Sequence, residues 1–429
     1  MTLVAALAVG FAQDPQIEEL RRLIGEQNRR IAELEKKLGA QDEAPTPIPS
    51  ATETQEGPKP YSEGFLGRFG NAAAYVGGYV DLEYIDRERD RAESGFDPHR
   101  FVLLVAATVS ENVKFWSEVE IEHGDEVGIE FSHVDILFTD WINLRAGIIL
   151  EPLGRFNLEH DAPLNDLTDR PVVDQFIIPA VLRDAGVGLF GRRDWGQTVW
   201  SYEAYVTNGF EVLDGRRLSD PNPKNVLRQG RPHRDGGFEG HFDDFNDDKA
   251  VVGRLGFSPA LGVDFGFSGY TGDYDDRDEN RLNIFAVDFK LHGGALADAF
   301  DADGGFREFL FAHEWLVEFA NADFGQDAIT RAAGVPRDMT GFYAQWNYHF
   351  MPQCFLDWLG DWATDETTFT LVARYDDMRV GIPGVDIDDR RLTLGLNFRP
   401  TEATVIKFDY QIDVEDSDEG IAFSFATYF

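Results

Sequence analysis

GIAFSFATYF, residues 420–429, reads as one extended strand. Side chains alternate along a strand, so Ile421, Phe423, Phe425, Thr427 and Phe429 share one face and Ala422, Ser424, Ala426 and Tyr428 the other. A face this apolar, carried through to Phe429, suits lipid better than water.

The same period of two recurs upstream. Val76, Gly78, Val80, Leu82 and Tyr84 oppose Gly77, Tyr79, Asp81 and Glu83; Leu392, Leu394, Leu396 and Phe398 oppose Arg391, Thr393, Gly395, Asn397 and Arg399. By this alternation about sixteen segments qualify: 75–85, 100–109, 113–122, 128–138, 142–149, 185–190, 199–207, 250–258, 263–270, 282–291, 308–320, 340–350, 367–376, 390–399, 404–414 and 420–429. With no helical stretch predicted between them, the fold class is all-β: a transmembrane antiparallel β-barrel of about 16 strands with no dry core behind both faces. Connections 110–112, 139–141, 191–198, 259–262 and 400–403 are mostly short and fall at one end. Connections 86–99, 150–184, 208–249, 271–281, 321–339 and 377–389 are mostly long and charged and fall at the other. Connections 292–307 and 351–366 are too long for tight turns, which leaves the flanking strand boundaries open.

Composition agrees. Aromatics make up 13% of the 429 residues and mean hydropathy is slightly negative, as strands with one lipid face and one wet face require. Net charge is −38, from 39 basic and 77 acidic residues, which argues against nucleic acid as a partner, because phosphate-backbone binding needs clustered cations. Cys354 is the single cysteine, so no intrachain disulfide and no cysteine-based zinc site forms.

Ahead of the barrel, residues 1–12 are apolar and end in a small-x-small pattern, Gly10-Phe11-Ala12, like the remnant of a secretory signal without its basic start. Residues 16–39 carry Ile17, Leu20, Ile24, Gln27, Ile31, Leu34 and Leu38 at a and d heptad positions, predicting a short coiled-coil helix. A single amphipathic helix lying on its own protein is the competing reading. Residues 40–69 form a linker, Pro-rich over 41–59, and residues 70–429 the barrel.

The run DWINLRAGIILEPLGRFNLEHD from Asp140, the strand pair LTLGLNFRPTEATVIKFDYQ and the Phe-ended final strand resemble the phosphate-selective porin O and P family of Gram-negative outer membranes, over about residues 70–429. The resemblance implies a sixteen-stranded barrel, usually trimeric, in the cell outer membrane, with both termini periplasmic. Its third external loop, here 150–184, would fold inward as a constriction. It also implies that Phe429 belongs to the address read by the barrel assembly machinery, and that outer-membrane lipid surrounds the barrel.

An anion pathway built on basic residues is a further implication, and the wall departs from it. Strand parity turns Lys114, Arg145, Arg254, Lys290, Arg374, Arg391 and Lys407 inward, against Asp81, Glu83, Glu118, Glu120, Glu122, Glu203, Asp264, Asp288, Glu314, Glu318, Asp376, Asp409 and Asp413. Rings of carboxylates favour cations. Arg155, Arg170 and Arg183 on the inward loop either create a local anion site or fix the loop by ion pairs.

Other motifs carry less. Gly186-Val-Gly-Leu-Phe-Gly191 matches a dinucleotide-binding glycine pattern but lacks the strand-then-helix setting. Asp301-Ala-Asp303-Gly304 begins like a calcium loop, yet Gly305, Arg307 and Phe309 occupy the remaining ligand positions. The nine histidines form neither HExxH nor a pairing with a nucleophile elbow. No catalytic residue, cofactor or metal site is predicted. Two function classes follow: a passive diffusion channel for small hydrophilic solutes and ions, and a structural anchor whose periplasmic coiled coil tethers the envelope.

Overall fold

The computed structural model describes residues 65–69, 72–87, 94–213, 218, 220, 222–232, 248–382, 384–415 and 419–429. The expected signal remnant and coiled coil lie outside the described residues, as does most of the linker.

Sixteen antiparallel strands close on themselves: β2 (Ala72–Arg87), β3 (Gly95–Ser110), β4 (Val113–Glu122), β5 (Glu126–Leu137), β6 (Asn143–Leu150), β7 (Arg183–Trp195), β8 (Thr198–Thr207), β9 (Ala250–Ala260), β10 (Val263–Asp273), β11 (Arg281–His292), β12 (His313–Phe324), β13 (Asp338–Phe350), β14 (Thr368–Ile382), β15 (Val385–Thr401), β16 (Thr404–Asp413) and β17 (Glu419–Tyr428). Each pairs with the next, and β17 returns to β2 with Phe425 opposite Leu82 and Tyr428 opposite Tyr79. Closure leaves no barrel edge unpaired. A five-residue strand, β1 (Phe65–Phe69), within the stretch assigned to the linker, pairs with the start of β2.

The barrel is inside out. Leu394 is 45% and Phe408 52% exposed on the outer face, whereas Arg374 is 2% and Lys407 1% exposed on the inner. Only a lipid surround rewards that inversion, since water would favour the charged groups outside. At the short-turn end the outer face carries stacked aromatics. Trp346, Tyr348, Phe350, Phe369 and Phe398 form one run and Trp200, Phe257, Phe265 and Phe289 another. Rings at this level make the interfacial girdle of a membrane barrel.

Three expectations are corrected. Residues 377–389 are not a loop: β14 and β15 run through them, with Asp377 opposite Arg390 and Met378 opposite Asp389. The ladder continues beyond the apolar band because backbone pairing does not depend on a lipid face. Short helices also occur in the connections, among them Gly293–Ala299, Gly304–Phe311 and Gln353–Leu359. The first two fill the long link from β11 to β12, so β12 begins at His313 rather than near residue 308.

The third correction concerns the interior, which is not polar throughout. Towards the long-loop end, Leu153, Val172, Val173, Ile177, Ile178 and Leu182 of the β6–β7 connection pack with Phe210, Val226 and Leu227 of the β8–β9 connection. They rest against inward Tyr205, Tyr270, Ile284, Met339 and Met378. Two connections carrying their own apolar side chains thus build a dry core inside part of the barrel.

Candidate functional site

Residues 151–182 enter the barrel and bond to much of its wall. Gly154 N–H donates to Ser268 Oγ of β10 at 3.0 Å, and the N–H groups of Arg155 and Phe156 donate to Glu318 Oε2 of β12 at 2.9 and 3.1 Å. His160 Nε2 lies 2.5 Å from Glu130 of β5, and Tyr428 of β17 donates to Asp161 at 2.8 Å. Asp166 accepts from Asn347 of β13 at 2.7 Å and from Arg399 of β15 at 3.0 Å. Thr168 N–H reaches Asp409 of β16, and Val172 N–H reaches Asp376 of β14. Thr207 of β8 donates to Glu151 at 3.0 Å.

Glycine is needed at the sharp inward turn. Gly154 has φ +71°, and a Cβ there would stand 2.2 Å from Glu318 Oε1. A side chain would therefore break the contact that seats Arg155.

Several basic residues chosen by parity hold this segment in place. Arg374 bonds Asp376 at 3.0 Å and donates to the carbonyls of Asp169 and Arg170. Arg391 meets Asp169 at 3.2 Å, and Lys407 Nζ donates to the carbonyl of Ala162 at 2.8 Å. Others pair along the wall. Arg145 grips Asp135 with two bonds of 2.8 and 2.9 Å, and Arg254 grips Asp288 at 2.6 Å. Lys290 meets Glu314 at 3.3 Å. Lys114 sits apart at the short-turn end, 3.5 Å from the carbonyl of Ser110. Glu120 is 2.7 Å from Arg100, while buried Glu118 has an oxygen without a hydrogen-bond partner.

The three arginines expected on the inward loop separate, and Arg183 is not on it but opens β7, opposite Leu150. Arg155 bonds Asp288 at 3.2 Å and Glu159 at 2.8 Å, beside a solvent-open cleft lined by Glu203, Arg254, Ser258 and Asp264. Arg170 and Arg183 belong to another group. Burial, then the charges of Arg170, Arg183 and Arg228, pulls Arg231 down to about 10, with Glu122 opposing. Burial and Arg100 likewise lower Arg170, whose guanidinium donates to the carbonyl of Ala180. Arg170 and Arg183 thus act electrostatically on Arg231 together with Arg228 of the β8–β9 connection, with Glu122 opposing.

Arg228 and Arg231 carry no periodic signal that would mark them in the sequence. Asp166 and Asp169 were equally silent, although the partners of Asp166 (Asn347, Asn397 and Arg399) and of Asp169 (Arg391 and Gln411) sit at positions that parity could turn inward.

No family model matches the chain. A protein of Aquifex aeolicus (strain VF5), described as uncharacterized, is 27% identical over 350 residues, covering 78% of this chain and 74% of its own length. Among solved structures, the trimer form of OmpT, an outer membrane protein of Vibrio cholerae, is similar with a TM-score of 0.52 at 10% identity, covering 83% of this chain and 99% of that one. The anion-selective porin from Comamonas acidovorans gives a TM-score of 0.50 at 10% identity, over 83% of this chain and 100% of its own. The outer membrane channel DcaP of Acinetobacter baumannii gives 0.50 at 10% identity, over 86% and 100%. At such identities the likeness concerns the fold: this chain has the sixteen-stranded barrel of the outer-membrane porins.

Proposed function

We propose that the protein is an outer-membrane porin, a passive channel for small hydrophilic solutes and ions in which residues 151–182 set the narrowest passage. The observation that carries this reading is the charged inner wall of an inside-out barrel, crossed by a segment bonded to strands around its circumference. No bond is made or broken in this reading; width and charge select among solutes.

The passage favours cations. Wall acids outnumber wall bases, and many of the bases are engaged by ion pairs or loop carbonyls. The arginines around Arg231 form a local positive station, and this is where phosphate-type anions, suggested by the family resemblance, would dwell. A homotrimer belongs to the proposal, supported by the trimer form of the similar Vibrio cholerae protein. So does recognition of the final strand by the barrel assembly machinery, with Phe429 as its mark and the short-turn end in the periplasm.

The apolar core inside the barrel favours a second reading, in which the barrel is chiefly an envelope anchor. Planar-bilayer recording separates the two. Stepwise openings at ion-scale conductance support the porin, and a silent bilayer containing folded barrel supports the anchor.

A further inference from the structure

Among the described residues, one cluster of metal-ligating side chains has no part in seating the inserted segment. At the long-loop end, the turn 123–125 folds back on the start of β3: His123 has φ +52°, and its N–H donates to the carbonyl of His99 at 3.2 Å. That fold lays His123 Nδ1 2.7 Å from Asp97 Oδ2, with His99 Nδ1 3.2 Å from the same oxygen. The ligand atoms of all three residues lie within 4.8 Å of one another. Glu83, opposite Asp97 in the β2–β3 ladder, brings an oxygen to 3.7 Å from His99 Nδ1. A register shift between Asp81 and Glu83 marks the same place.

We propose that Asp97, His99 and His123, with Glu83 as fourth ligand, bind one divalent transition metal of the zinc type at the mouth of the barrel. Metal–ligand bonds of about 2.0 Å at tetrahedral angles set ligand atoms about 3.3 Å apart, the scale of the spacings here. Two imidazoles with carboxylates select zinc, copper or nickel over magnesium and calcium, which prefer all-oxygen shells. Each imidazole binds through neutral Nδ1 and keeps its proton on Nε2. His123 is exposed and His99 and Asp97 are partly so, which leaves the ion a path from solvent. Sequence spacing hides the set, because His99 and His123 lie far apart in the chain and only strand pairing brings them together.

The test is zinc titration of the full chain in detergent by calorimetry, with excess magnesium to fill weak carboxylate sites. One zinc per chain is expected, with affinity falling at least tenfold in H123A and in D97N while the folded fraction is unchanged. Zinc binding equal to wild type in both variants, or competed equally by magnesium, overturns the site. Where a variant does not assemble, cobalt(II) added to the unaltered protein decides. Intense visible bands of a four-coordinate nitrogen and oxygen site support the proposal, and a weak six-coordinate spectrum overturns it.

Discussion

Glu318 accepts the backbone N–H of Arg155 at 2.9 Å, so one wall carboxylate seats the start of a segment otherwise more than 160 residues away in the chain. Its second bond, to Phe156 N–H at 3.1 Å, makes Glu318 an anion cap for the first turn of the inserted segment. Glu318→Leu removes the acceptor from two buried N–H groups and is expected to weaken loop docking by about 2–5 kcal/mol. Single-channel records should then show larger, noisier openings. Gly154→Ala is expected to act in the same direction through its clash with Glu318.

Loop docking is expected to be firmer in acid than in alkali. Burial, then the charge of Asp184, pushes Glu151 up to about 8, with the Thr207 hydroxyl opposing. The docked loop keeps a proton that the released loop gives up above about 4.3, so docking weakens as pH climbs from there to about 8. Burial opposes the charge of His160, but Glu130 outweighs it and holds the pKa above the ordinary histidine value. That contribution is complete below about 6.5 and is lost as pH rises through the raised value. Protease cutting within 151–182, compared at pH 5.5 and 8.5, checks this: faster cutting at the higher pH is expected.

Removing a cation and removing an anion from the passage should move selectivity oppositely. Arg231→Ala removes a cation from the positive group and is expected to increase preference for cations. Glu120→Gln leaves Arg100 less neutralised and is expected to shift the balance towards anions. Reversal potentials of the two variants should flank that of the wild type.

The barrel seam predicts an assembly defect. Phe429 N–H donates to the carbonyl of Gly78 at 3.0 Å, and its ring lies against Phe101 with centroids 5.9 Å apart. Phe429→Ala is expected to lower the folded fraction recovered from membranes, with little change in conductance of the barrels that do fold. Heat-modifiable mobility on gels measures that fraction, and a wild-type value would mean the ring has no part in assembly.

Each of the sixteen strands was legible because a lipid face and an inner face impose the same period of two along the chain. Legibility ended where that pressure ends. Residues 377–389 read as a loop because beyond the apolar band neither face needs to be greasy, although Asp377 and Arg390 still pair. The inner face of many strands was also readable, which placed Arg374, Arg391 and Lys407 among the inward residues. Their grip on Asp169, Arg170 and Ala162 was not, because 151–182 has no periodicity to reveal its path. For the same reason Arg155, Arg170 and Arg183 looked like one set, whereas Arg155 stands with Asp288 and the other two with Arg231.

The reversal potential of the purified full-length barrel in a planar bilayer, across a potassium chloride gradient, bears most directly on the central claim that ions pass the inserted segment under an acidic wall. The account predicts stepwise openings with a potential of the sign set by potassium. A potential set by chloride would contradict the charge assignment, and folded barrels that never open would contradict the channel itself.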